Sequence, residues 1–331
     1  MSIARTSLSA LGCSLLALSG EATAQTLNFG TPCAGAAGPT PQITVPTIPH
    51  SGQDFVIRVV GPANTAGLLF IGLSDTTSAF GALPLDLGFL GLTGCSLLVS
   101  TNLTIDFVTD QFGIFRATGI GPPAGVTAFA QAYVADIDVG LGILGGLTDG
   151  IAITGAGTPA PGDVIITEVM QNPASVLDVD GEWFEIHNLS KEAINVENWR
   201  IIDNGGVLHT IDVGGQGLII QPGSFLVSCR NGTLAENGGV DADYVHGDDI
   251  TIGNATDFLT LMDYTGAAID TVAWDNGATF PDPTGASMSL DPASFDPLAN
   301  DNGGNWCEGS TIFFVGNPDL GSPGTGNPSC P

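Results

Sequence analysis

Runs of five to eight residues rich in Val, Ile, Leu, Phe and Thr recur along almost the whole chain, and each ends in Gly, Pro, Asn or Asp. A 3.6-residue period is almost absent. This spacing predicts an all-β protein built of sandwiches rather than α/β units. In the first half the pattern predicts strands at 42–45, 54–60, 67–73, 95–100, 103–108, 113–118, 127–136 and 150–154. In the second half it predicts them at 164–170, 183–188, 194–196, 198–202, 208–211, 224–229, 258–263 and 269–274. Within 54–60, Phe55, Ile57 and Val59 share one face, and Val56, Arg58 and Val60 the other. Within 182–187, Glu182, Phe184 and Ile186 alternate with Trp183, Glu185 and His187.

Length and punctuation divide the chain. Its 331 residues exceed the usual size of one small sandwich, so two β-sandwich domains are expected. Residues 1–24 carry one early arginine, a short apolar run and Ala22-Thr23-Ala24, the parts of a secretory signal peptide. Residues 155–162 are small and contain two prolines. They read as a linker between a domain at 25–154 and a domain at 163–331, open to limited proteolysis. No apolar stretch is long enough to span a membrane.

Charge sharpens the division. From Gln25 to Thr158 there are eight acids and two bases, and from Pro159 to Pro331 twenty-five acids and three bases. Only Arg58, Arg116, Lys191, Arg200 and Arg230 are positive after residue 24. No basic patch exists to displace phosphate counterions, so nucleic acid and anionic membrane are poor partners. Export permits disulfides. Pairs kept within one domain join Cys33 to Cys95 and Cys307 to Cys330, and leave Cys229 over.

The stretch 163–202 carries Val164–Met170, then Gly181-Glu182-Trp183-Phe184-Glu185-Ile186-His187-Asn188, then Asn198-Trp199. This order resembles the start of a lamin-tail domain, in which a Gly-Trp or similar pair stands where Asn198-Trp199 stands here. Asn305-Trp306 and Gly321-Ser322-Pro323-Gly324 are similar to that family's closing element. The resemblance implies an immunoglobulin-like sandwich acting as an interaction module. The first half is similar to an uncharacterised β-sandwich of secreted bacterial proteins, through Cys33, Leu69-x-x-Gly72-Leu73-Ser74, Pro84-Leu85-Asp86-Leu87, Gly94-Cys95 and Phe129-Ala130-Gln131-Ala132-Tyr133. That resemblance implies no activity.

Candidate chemistry is sparse. Asp178, Asp180 and Glu182 place oxygen donors at i, i+2 and i+4 around Gly181, a spacing that suits calcium. Position 12 of a full EF-hand loop would fall on Leu189, and the plain alternative is a solvated hairpin loop. Asp241, Asp243, Asp248 and Asp249 surround His246 in a second acidic cluster that also reads as a solvated loop. His187 and Glu185 share a strand face and are expected to be solvated. Cys229 ends an apolar strand and reads as a buried thiol. Trp183, Trp199, Trp274 and Trp306 fit core positions better than a carbohydrate platform. The leading expectation is an exported, non-catalytic protein used for adhesion, surface scaffolding or ligand binding, with an extracellular protein or glycan as partner. The alternative is a secreted metal-dependent hydrolase using carboxylates of the second domain.

Overall fold

The computed structural model describes residues 25–35, 38–136 and 144–331; the expected signal peptide lies outside them. Two sandwiches follow one another along the chain. In the first, a sheet ordered Gln25–Phe29, Gly150–Thr154, Thr127–Val134, Ala66–Gly72, Leu103–Val108 faces a sheet ordered Ile114–Ile120, Asp54–Val60, Gln42–Thr44. Phe55, Ile57 and Val59 enter the core between them, as alternation requires, and meet Leu69, Ala132 and Ile153. The edge strand Gln25–Phe29, absent from the sequence reading, pairs in full register with Gly150–Thr154. The stretch expected as a strand at 95–100 pairs only at Ser96–Leu97. Its backbone is held instead by the buried Gln131 side chain, which accepts from Leu98 N and donates to Ser96 O. Gln131 thus ties down residues 74–98, which lie as a flap over the outer face of the larger sheet. The Cys33–Cys95 disulfide clips the same flap.

The second sandwich packs a six-stranded sheet against a four-stranded one. The first is ordered Tyr244–Val245, Phe225–Cys229, Trp183–Asn188, Val164–Met170, Met288–Leu290, Trp306–Glu308. The second is ordered Leu208–Thr210, Arg200–Ile202, Thr256–Met262, Ala268–Asp275. Phe184, Ile186, Trp199, Leu261, Val272 and Trp306 fill the space between, and each such side chain contributes roughly 1.5–3 kcal/mol on burial. Asn198 adopts φ +66° at the turn before Trp199. This is the left-handed region that glycine favours and asparagine tolerates best among the rest, so Asn can occupy the place of a Gly.

Every residue of Val164–Met170 and Trp183–Asn188 is buried, which a sandwich sheet with one solvated face would not allow. The outer face has its own cover. Residues 309–331 cross it, with Phe313 edge-on to Trp183 at 6.3 Å, and the Cys307–Cys330 disulfide closes this tail.

The segment 155–162, expected to be a free linker, is partly pinned. Gly155 N donates to Val126 O, Ala156 N to Pro49 O, and Ser51 N to Ala156 O. Beyond it the sandwiches touch through buried polar groups. Gln53 Nε2 donates to Asn195 O and Glu197 O at 3.2 and 2.7 Å, and Tyr264 OH to Ser51 O at 2.6 Å.

Candidate functional site

The acidic residues 178–182 do not form a solvated hairpin loop. Asp178–Gly181 is a single helical turn. Successive residues on a helix turn by about 100°, so positions i and i+2 point to opposite sides. Asp178 Oδ2 accepts from Asn254 Nδ2 at 3.1 Å, and Asp180 Oδ1 from Asn231 Nδ2 at 2.9 Å. Glu182 Oε2 accepts from the Arg230 guanidinium at 3.0 Å and from Ile252 N at 3.1 Å. A cation bound by all three would have to displace a guanidinium and two amide donors. Each of the three carboxylates is held by a different partner, and among the described residues no three His, Cys, Asp or Glu side chains gather as metal ligands.

The second acidic cluster is also spread over separate partners. Asp243 Oδ2 accepts from Val227 N at 2.9 Å, Asp249 pairs with His209 Nδ1 at 2.9 Å, and Asp248 pairs with Arg230 at 3.0 Å. Arg230 therefore joins the two clusters, since its other nitrogen holds Glu182. Burial pushes the Glu182 carboxyl up to about 7 in spite of that guanidinium. His246 is buried, and its Nδ1 lies 2.9 Å from Ser228 Oγ. Desolvation is the main cause that brings its pKa down to about 3, which keeps the ring neutral.

A carboxylate pair that the sequence reading passed over sits deeper. Glu168 and Glu185 lie directly opposite one another on adjacent strands, beside the irregularity between Ile166 and Glu168, and both are fully buried. Two like charges so placed repel. Burial first, and Glu168 second, push the Glu185 carboxyl up to about 9, so it holds its proton at neutral pH. Burial raises Glu168 as well, against hydrogen bonds from Ser287, Ser289 and Ser322. Together these oxygens bind the C-terminal tail. Glu168 accepts from Ser322 N and Ser322 Oγ, Glu185 from Gly324 N and Thr167 Oγ1. The sequence signal was a lone carboxylate at the centre of each of two apolar strands.

His187 and Glu185 are buried rather than solvated. The His187 ring stacks on Phe225 at 4.2 Å, with Nδ1 3.1 Å from Ser224 O. Cys229 is a free, buried thiol, pushed up to about 12 by desolvation, with Asp243 and Asp241 adding to the shift. All four tryptophans are buried. Among the described residues no helix is long and apolar enough to cross a membrane.

Comparison with known proteins adds a family to this geometry. A family model, the Lamin Tail Domain, matches residues 157–276. The second sandwich is accordingly immunoglobulin-like and of lamin-tail type, and the closing motifs at 305–306 and 321–324 lie beyond the matched span. No curated protein matches the chain. Among solved structures, trypsin-activated alpha-2-macroglobulin from Escherichia coli is 12% identical with a TM-score of 0.23, over 81% of this chain and 19% of that one. The native conformation of the same E. coli protein gives 15% and 0.21, over 81% and 18%. The chain spans about a fifth of the length of those structures, and likenesses this slight define no common fold.

Proposed function

We propose that this chain is an exported, non-catalytic protein whose two sandwiches serve as interaction modules toward an extracellular protein or glycan. One observation carries the reading. The carboxylates that give the second domain its candidate chemistry are engaged in holding the fold together. Glu182 and Asp248 are bound to Arg230, and Glu168 and Glu185 to the tail. A hydrolase would need such groups to converge on a substrate. A lamin-tail sandwich supports the role of interaction module. Two disulfides fit an oxidising compartment. The test applies the purified chain to a glycan array and to immobilised extracellular proteins, and follows any ligand bound by mass spectrometry. Saturable binding with the ligand recovered unchanged is the expected result. Turnover of the bound glycan, or of phosphoester substrates offered beside it, would overturn the reading.

A further inference from the structure

The flap of the first domain does not seal the sheet beneath it. Leu68 and Phe70 of the Ala66–Gly72 strand point away from the core that Leu69 and Ile71 fill, and Tyr133 lies beside them on the same outer face. The flap brings Leu85, Leu87 and Leu97 over this floor. Between floor and flap lies an open cavity of about 750 Å³. At its mouth Phe80 and Phe89 are 71% and 75% exposed, and Leu90 53%. Apolar surface of this kind, gathered around one concavity, marks a binding site rather than scattered surface chance.

The lining restricts the occupant. Among the described residues no carboxylate, amine, guanidinium or imidazole faces the cavity; its polar groups are the hydroxyls of Thr101, Thr104 and Tyr133. The Tyr133 hydroxyl already donates to Leu144 O. A groove that continues from the cavity past Leu68 and Tyr133 is lined by Asp106. The two arginines of the domain, Arg58 and Arg116, are paired across the other sheet, and the domain carries six more acids than bases after residue 24. An anionic head group would meet one carboxylate and no countercharge. The volume is that of a small molecule.

We propose that this cavity binds an uncharged, hydrocarbon-rich small molecule of lipid type, with one hydroxyl or carbonyl placed against Thr101 or Thr104. The site lies in the first domain and does not depend on the module reading of the second. Nile red, a neutral probe, tests it by fluorescence titration of the full chain, with cis-parinaric acid as the anionic counterpart. The expected result is saturable binding of Nile red at one site, with cis-parinaric acid weaker by about tenfold or more at pH 8. Thr104→Trp fills the cavity from an exposed strand position and should weaken Nile red by about tenfold. The double variant Phe80→Ser/Phe89→Ser alters only exposed side chains and should weaken it by about fivefold, with its melting temperature unchanged. Absence of saturable binding by the native chain would overturn the proposal. So would equal affinity for the anionic probe, or binding that survives both variants. Co-sedimentation of the chain with phosphatidylcholine vesicles, without binding of the dispersed probe, would make the exposed phenylalanines a membrane contact and would also refute it.

Discussion

Both domains cover the outer face of their larger sheet with a segment clipped by a disulfide, and the two covers differ in kind. In the first domain the cover is a leucine- and phenylalanine-rich flap that leaves a hydrocarbon cavity and exposed rings. In the second it is a glycine- and proline-rich tail whose Ser322 and Gly324 bind Glu168 and Glu185, both fully buried. An apolar cover needs only rough shape and tolerates a void. A polar cover is bound by direction, because each buried oxygen without its donor costs about 1–3 kcal/mol. The comparison teaches that a third layer can be an opening or a seal according to what it lays on the sheet.

Removing the clips should separate the two covers most. The Cys33–Cys95 bridge spans 62 positions and the Cys307–Cys330 bridge 23. On the loop-entropy account they contribute about 4 and about 3 kcal/mol to their domains. Serine at both positions of each pair, followed by chemical denaturation, should show losses of that order. The first pair should also loosen the flap and abolish Nile red binding, whereas the second should leave probe binding intact.

Arg230→Ala breaks the link between the acidic clusters and strands the buried Glu182. A loss of about 2 kcal/mol is expected, limited because Glu182 can take up a proton. Adding Glu182→Gln should restore part of it in a double-mutant cycle; full additivity would show that the pair does not interact.

Acidity should act mainly on the second domain. Burial raises Glu185 to about 9, Glu182 to about 7 and Asp270 to about 6, each above its ordinary value. A raised carboxyl contributes stability that is complete below its unfolded pKa and is lost as pH climbs through the folded one. The second domain should therefore gain stability from pH 9 down to about 6.5, by at most ~1.4 kcal/mol per pH unit for each carboxyl inside its window, and below that the neutral, buried His246 works against the carboxyls. Among the described residues of the first domain no Asp or Glu is buried, so its melting curve should move less. Glu185→Gln should flatten the slope between pH 7 and 9, and an unchanged slope would mean that Glu185 is not its source.

Calcium should have the smallest effect. Since Asp178, Asp180 and Glu182 face different partners, low-millimolar calcium should shift the melting temperature no more than sodium chloride of equal ionic strength. A larger shift, lost in Asp178→Asn/Asp180→Asn, would restore the metal site.

The strands were legible because period-2 alternation and turn residues are local. Phe55, Ile57 and Val59 face the core that their spacing assigns them. Asp178 and Asp180 were read as parts of a loop, and the spacing alone did not show the turn: i and i+2 share a side in an extended loop but oppose one another in a helical turn. Glu168 and Glu185 were hidden because what makes them a pair is strand register, and the Ser322 that binds Glu168 lies 154 positions away. The cavity left a fainter trace. Leu68 and Phe70 are apolar on the face opposite Leu69 and Ile71, which marks a strand covered on both sides. The composition does not say how completely the flap covers it.

The stitching of Glu168 to Ser322 also sets an order of events in synthesis. The strands that carry Glu168 and Glu185 emerge early, but, apart from Thr167, the groups that satisfy them belong to residues 287–324. Until those residues are made, the outer side of the sheet lacks its cover and the two carboxylates lack the donors that the tail supplies. Closure of the tail is thus the step at which Glu185 becomes a protonated, buried group, so closure should be more favourable as the surrounding pH falls through the range of that carboxyl.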